Sequence, residues 1–147
     1  MKPLEQKEHL RQKARQLGFE AYGVADCAAD LRREYFEKWI SEGKNADMEW
    51  LNNSKRFNLE AVQPECRSIV IVGSNYFQKQ PERQGKIATY ALGRDYHKLL
   101  PKKLEELCSE MEKLGGAQKS YVDTGPILEK RFAAASAMGW QGKNTML

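Results

Sequence analysis

Apolar residues recur every three or four positions in several stretches of the chain, which is the spacing of an amphipathic helix. Residues 4–17 show this spacing first, and Gly18 follows as a helix stop. Residues 31–40 show it next, and Gly43 follows them. The pattern therefore predicts two helices in the first third of the chain.

The longest apolar stripe lies in the second half of the chain. It consists of Leu100, Leu104, Leu107, Met111 and Leu114, with two glycines directly after it. Pro101 does not fit inside a regular helix, so we expect this helix to start near Leu100 or to kink there. A further helix, rich in alanine, is predicted from Pro126, which suits a first helical position, to about Met138.

Short β-type runs alternate with these helices. They predict strands over residues 21–25, 67–73, 86–91 and 119–123. The unbroken apolar run within 67–73 is typical of a strand that is buried on both faces. This alternation predicts an α+β fold, a mixed α/β sandwich, that forms a single domain over residues 1–147.

Residues 45–60 show no long period and predict a short helical turn with a loop. Trp39 and Trp50 are expected in the core as aromatic anchors. Arg56 follows a polar run and is expected to be a solvated loop residue unless a ligand lies nearby.

Composition argues against several classes of protein. Of the 147 residues, 41% are hydrophobic and 30% are charged, and no apolar run approaches the roughly 20 residues that a membrane span needs. The N-terminus lacks the apolar segment of a secretory signal. The three cysteines form no CxxC pair, so we expect reduced thiols, a cytoplasmic protein and no metal site built from this chain alone.

The net charge of +4 is concentrated in the second part of the chain. There, a basic stretch is opposed only by Asp95: Lys86, Arg94, Lys98, Lys102 and Lys103. Such a stretch is either an ordinary solvated face or a surface for phosphates, and composition does not decide between the two.

Three segments carry residue types that can do chemistry. Segment 121–126 places Asp123 where a predicted strand meets a predicted helix, either as a helix cap or beside a ligand. Segment 91–97 offers the planar fork of Arg94, either in a plain turn or against a phosphate or carboxylate. Segment 139–145 combines small, aromatic, cationic and polar residues, but it lacks the spacing of a phosphate-binding loop.

In this order, these segments resemble the epoxyqueuosine reductase family. The matching blocks read GRDYH at 93–97, VDTGP at 122–126 and GWQGKNT at 139–145, and Arg56 precedes them. Weaker matches lie at residues 17–19, 24–25, 46–51 and 64–70, so the resemblance covers nearly the whole chain.

The resemblance implies an activity and a site. Family members reduce the epoxide of epoxyqueuosine in tRNA, using cobalamin and 4Fe–4S clusters. Their N-terminal part binds cobalamin in a fold similar to nitroreductase-like and cobalamin-processing proteins, and Asp123 falls on the proposed proton donor. We expect the rim of the cofactor to be lined by Arg56, Tyr90, Arg94, Lys143 and Asn144.

The chain departs from the family pattern because it contains none of the cluster cysteines. We therefore expect a chain that is inactive alone and depends on a C-terminal ferredoxin-like module or a separate iron–sulfur protein. Its exposed C-terminal surface, including Trp140, Met146 and Leu147, could form a dimer. Two alternatives stay open: a flavin- or nucleotide-binding domain on a nitroreductase-like scaffold, and a non-catalytic module that docks an iron–sulfur partner.

Overall fold

The computed structural model of the chain describes residues 2–29, 32–79, 85–144 and 146–147. The helices are α1 (Pro3–Gln16), α2 (Arg33–Ser41), α3 (Tyr96–Glu112) and α4 (Glu129–Ala135), and the strands are β1 (Ala21–Asp26) and β2 (Ser68–Gly73). Short 3-10 turns cover Glu49–Leu51, Ser54–Phe57, Leu59–Ala61 and Thr89–Leu92. Helices combined with a small sheet confirm the α+β class.

The strands β1 and β2 pair into a two-stranded sheet. The Glu20 N–H donates to the Gly73 carbonyl at 2.9 Å, and the Cys27 N–H donates to the Arg67 carbonyl at 3.3 Å. These pairings run in opposite chain directions, so the strands are antiparallel. The strands predicted at 21–25 and 67–73 are confirmed, but β2 is half-buried or exposed along its length instead of fully buried.

The chain divides into two compact units. The first comprises Met1–Tyr22 and Val72–Val122, and the second comprises Gly23–Ile71 and Asp123–Leu147. Helices α1 and α3 therefore belong to the first unit, whereas α2 and α4 belong to the second.

The core of the first unit joins α1 to α3. Leu10 and Ala14 of α1 pack with Phe19 and with Leu107 of α3, and all four are buried. The half-buried residues around them are Leu17, Tyr22, Val72, Leu100, Leu104, Met111 and Leu114. The predicted apolar stripe of α3 is thereby confirmed as the face that packs inward.

Helix α3 starts earlier than the sequence predicts. The Asp95 carboxylate accepts the His97 N–H at 3.0 Å and caps the helix, so its first residue is Tyr96. Pro101 lies inside the helix, and the predicted start near Leu100 is wrong. This cap stabilises the N-terminus of α3, and a helix that started at the proline would lack it.

The core of the second unit centres on α4. Phe132 is fully buried and packs with the buried Ala25 of β1. The residues packed around this pair are Ala29, Phe57, Leu59, Ile69, Ile71, Ile127 and Leu128.

Two predicted strands are wrong, and one predicted helix is confirmed with shorter bounds. Residues 86–91 form no strand, because Thr89–Leu92 is a 3-10 turn. Residues 119–123 form no strand either, and the backbone at Asp123 is left-handed, which ends any extended run. Helix α4 begins at Glu129, not at Pro126, and it ends at Ala135, before Met138.

The tryptophans also differ from expectation. Trp50 is 65% exposed, so its assignment to the core is wrong. Trp39 is half-buried, with its ring centroid 6.0 Å from that of Phe36.

Some expectations fall on residues that the structure does not describe. Leu31, at the start of the predicted second helix, and Thr145, in the GWQGKNT block, lie outside the described residues. Within the described ranges, no helix is long and apolar enough to cross a membrane.

Candidate functional site

Asp123 carries an exposed side chain on an unusual backbone. Its φ of 56° lies in the left-handed region, which residues other than glycine adopt at an energetic cost. Its N–H donates to Oε1 of Glu129 at 3.1 Å. Leu128, not Asp123 or Thr124, occupies the N-cap position of α4, so the interpretation of Asp123 as a helix cap is wrong.

Glu129 is the neighbour that the sequence analysis missed. It is half-buried, and burial raises its pKa above the ordinary value of a glutamate. The charge of the Asp123 carboxylate raises the pKa further, against the opposing effect of the Asp123 N–H. One sequence signal could have identified Glu129. It is a glutamate at the start of a helix, after a Gly-Pro turn and six residues beyond an aspartate.

Arg56 is more enclosed than a solvated loop residue. The guanidinium carbon lies 5.5 Å from the ring centroid of Trp50, within the range of a cation–π contact. Its Nε is buried and has no hydrogen-bond partner in the part of the chain that the structure describes. A buried donor without an acceptor is costly, so this nitrogen is suited to an acceptor from a bound ligand.

Tyr90 lies in a row of aromatic rings in the first unit. Its centroid is 6.4 Å from that of Tyr76 and 6.3 Å from that of Tyr96, with edge-on geometry in both pairs. The Tyr96 ring in turn stacks on His97 at 4.1 Å. Tyr90 is 56% exposed, and Arg94 is exposed after the 3-10 turn.

Lys143 and Asn144 lie in a tight turn of the second unit. The Gly142 N–H donates to the Met146 carbonyl at 2.8 Å, and the Met146 N–H donates to Oδ1 of Asn144 at 3.2 Å. A Cβ at position 142 would lie 2.8 Å from the same Asn144 oxygen, so a larger residue there would displace that side chain. Both side chains are exposed, and Trp140 is 83% exposed.

The two units divide the predicted site residues. Arg56, Asp123, Lys143 and Asn144 belong to the second unit, and the first unit contains Tyr90 and Arg94. Among the residues that the structure covers, no group of three or more histidine, cysteine, aspartate or glutamate side chains is placed to hold a metal ion.

Not every cation of the basic stretch is exposed in the structure. Lys86, Arg94, Lys98 and Lys102 are exposed. Lys103 is half-buried, and its Nζ lies 5.6 Å from the ring centroid of Phe19. Four cations therefore remain available to a partner of opposite charge.

Comparison with known proteins places the chain in a family. Residues 56–124 match the family model described as "Epoxyqueuosine reductase QueG, DUF1730". An epoxyqueuosine reductase of Atelocyanobacterium thalassa is 38% identical over 144 residues, which are 93% of this chain and 47% of the relative. The epoxyqueuosine reductase of Synechocystis sp. is 42% identical over 127 residues, covering 82% of this chain and 44% of that protein. The chain belongs to the epoxyqueuosine reductase family.

A solved epoxyqueuosine reductase shares the fold of the chain. The structure from Streptococcus thermophilus superposes with a TM-score of 0.81 at 26% identity, covering 94% of this chain and 40% of that one. The chain thus spans less than half the length of the curated epoxyqueuosine reductases it matches. The family-model match includes Arg56, Tyr90, Arg94 and Asp123.

Proposed function

We propose that the chain is the N-terminal, cobalamin-binding part of an epoxyqueuosine reductase, with Asp123 as the proton donor. The whole reaction reduces the epoxide of epoxyqueuosine in tRNA to give queuosine. The observation that carries this proposal is Asp123 itself. It presents an exposed carboxylate on a left-handed backbone that Glu129 holds in place, within the family-model match.

The second unit offers groups that fit cobalamin. A corrin ring has broad apolar faces and an amide rim, so its site needs flat hydrophobic surface and a few polar donors. Trp50 and Trp140 offer exposed aromatic surface, and the Nε of Arg56 offers a donor without a protein acceptor. Lys143 and Asn144 add an exposed cation and an exposed amide.

A bound cobalamin would supply two electrons from its reduced cobalt centre. The role of this chain is to hold the cofactor and to deliver a proton. The carboxyl group of Asp123 would protonate the epoxide oxygen as its first C–O bond breaks, so that a hydroxyl group, not an alkoxide, stays on the neighbouring carbon. A second proton, taken from solvent, would let this oxygen depart as water when the second C–O bond breaks, so two electrons and two protons account for its loss.

The electron source lies beyond these residues in this proposal. A ferredoxin-like module with 4Fe–4S clusters, in the same protein or in a separate partner, would reduce the cofactor. The nitroreductase-like classification of the fold, the cytoplasmic location and the cofactor contacts of Tyr90 and Arg94 stay predictions. So does dimer formation through Trp140, Met146 and Leu147, which sedimentation velocity at several protein concentrations would measure.

A cobalamin titration of the 147-residue chain, followed by its visible spectrum, tests the proposal. We expect a saturable spectral shift that Arg56→Ala weakens. Lys55→Ala is the matched control, because it removes the adjacent exposed cation and leaves the Arg56–Trp50 contact intact. A saturable shift with flavin mononucleotide and none with cobalamin would overturn the proposal in favour of a flavin-binding domain.

A further inference from the structure

Glu129 contacts the backbone of Asp123. The Asp123 backbone N–H donates to Oε1 of Glu129 at 3.1 Å. The charge of the Asp123 carboxylate also acts on Glu129 and raises its pKa. Both residues belong to the second unit, so the contact lies within one compact body.

Burial and a nearby negative charge both disfavour the charged form of a carboxyl group. Glu129 is half-buried, and the exposed Asp123 carboxylate lies beside it. Both effects raise the pKa of Glu129.

We propose that Glu129 is a positioning residue for Asp123: its carboxyl group accepts the Asp123 backbone N–H and fixes the loop that presents the Asp123 side chain. This inference rests on the proposed role of Asp123 as the acid. The backbone hydrogen bond offsets part of the cost of the left-handed conformation and directs the carboxylate outward.

Glu129 is more than a first-turn acid in α4. A glutamate at a helix N-terminus interacts favourably with the helix dipole and commonly caps that helix. Helix α4 has seven residues, and the hydrogen bond of Glu129 goes to a residue that precedes the helix by six positions. The bond therefore closes the loop between Asp123 and α4.

The chain contains a structural control for this loop closure. Glu60 accepts the Glu65 N–H at 3.1 Å and 3.2 Å, and the φ of Glu65 is 58°. Here too, a glutamate accepts the N–H of a residue with a left-handed backbone, and both residues lie in the same unit as Asp123. In this case the left-handed residue follows the glutamate in the chain. Glu60→Gln removes this charge without altering the Asp123 loop.

NMR of the 147-residue chain tests the pair without any cofactor. We expect the Glu129 carboxyl carbon to titrate above the ordinary range of a glutamate and the Asp123 amide signal to move with the same midpoint. Asp123→Asn should lower the Glu129 midpoint, and Glu129→Gln should remove the part of the Asp123 amide movement that follows the Glu129 midpoint. Glu60→Gln should change neither. The proposal would be overturned by an unchanged Glu129 midpoint in Asp123→Asn, or by an Asp123 amide signal that does not follow the Glu129 midpoint.

Turnover with an added iron–sulfur donor and tRNA substrate separates this inference from the proposed function. Glu129→Ala should lower kcat by about 10²-fold through misplacement of Asp123, and Glu129→Gln should restore most of it while altering the pH profile. Equal losses in the Ala and Gln variants would contradict positioning through the backbone N–H. If Asp123→Asn turns over normally while the NMR coupling holds in the parent chain, the proton-donor role fails and the contact of Glu129 with the Asp123 backbone stands.

Discussion

Asp123 has a backbone conformation that costs of order 1–3 kcal/mol for a residue other than glycine. Such strain persists where the surrounding structure holds it, and here Glu129 does so. This makes Asp123 a better candidate for chemistry than its sequence alone indicates, because a plain helix cap would not need a left-handed backbone.

Asp123→Asn separates the carboxyl proton from the shape of the side chain. Asparagine tolerates the left-handed region, so we expect the loop and cobalamin binding to persist. Turnover should fall by about 10²–10⁴-fold, the usual contribution of a positioned general acid. Asp47→Asn, at an exposed position of the same unit, is the control. Full turnover in Asp123→Asn would remove the proton-donor role.

Gly23 shows how closely the second unit packs around β1. A Cβ at this position would clash with the Ser136 side chain and come within 2.8 Å of Cγ of Met138. We expect Gly23→Ala to lower the free energy of unfolding by about 1–3 kcal/mol. Chemical denaturation measures this loss, and adding Ser136→Gly should recover part of it. An unchanged midpoint would show that the neighbours move aside freely.

Between elements, α1 and α3 are joined by a charged contact as well as by their apolar faces. His9 Nε2 lies 2.8 Å from Oε1 of Glu110, and Lys113 Nζ donates to Oε2 of Glu110 at 2.7 Å. Lys113, followed by His9, holds the pKa of Glu110 at about 2. A carboxyl group whose pKa is lower in the folded state stabilises the fold at pH values above its pKa in the unfolded chain, which is roughly 4.3 for glutamate.

The stabilisation by Glu110 should therefore disappear in acid. We expect Glu110→Gln to lower Tm at pH 7 and to match the parent chain as the pH falls through about 2, where Glu110 itself takes up a proton. Thermal unfolding followed by circular dichroism across this range measures the difference. Glu105→Gln, at an exposed position of α3, should show no comparable change. A constant difference at every pH would contradict the assigned cause.

The exposed lysines of α3 belong to the basic stretch, which is either an ordinary solvated face or a surface for the phosphates of tRNA. Lys98 and Lys102 lie one helical turn apart, and both are exposed. If they contact phosphates, Lys98→Ala with Lys102→Ala should reduce the slope of log affinity against log salt by roughly two. Lys7→Ala with Arg15→Ala removes the same charge from α1 and should leave the slope unchanged. A salt-independent affinity would identify an ordinary solvated face.

Helical periodicity and the run 67–73 were sufficient to predict most of the elements. Two of the errors depend on side-chain contacts that hydrophobic periodicity does not show. Residues 86–91 have strand-like composition, but the Tyr90 ring packs between Tyr76 and Tyr96 in a turn. The start of α3 depends on the Asp95 cap, which outweighs the preference of Pro101 for a first turn.

The candidate site was predictable only as separate residues. Sequence reasoning selected Asp123 and Arg56 by resemblance, but neither the Glu129 contact nor the Arg56–Trp50 contact follows from spacing. Both arise because short turns bring side chains together that no helical or strand period relates. A carboxylate or a cation in a loop therefore needs three-dimensional information before its neighbours are known.

At the scale of the whole chain, the buried apolar side chains form two separate cores. Leu107 is 2% exposed in the first unit, and Phe132 is fully buried in the second. Leu→Ala at a buried site costs about 2–5 kcal/mol and Phe→Ala about 3–5 kcal/mol. These values are large beside the 5–15 kcal/mol that typically stabilises a domain.

We therefore expect Leu107→Ala and Phe132→Ala each to lower the free energy of unfolding by these amounts. Hydrogen exchange measured by mass spectrometry should report the loss first in the unit that carries the substitution. Leu4→Ala, at a side chain that is 81% exposed, is the control for removal of a leucine outside either core. A small loss at Phe132 would contradict its place at the centre of the second core.

Exposed tryptophans give the chain an optical signal of its own. Of its three tryptophans, Trp50 and Trp140 are 65% and 83% exposed. Indole fluorescence from such positions is emitted at long wavelength because water relaxes around the excited ring. Any molecule that covers these rings will move the emission to shorter wavelength or quench it, so the unlabelled chain can report its own encounters with ligands and partners.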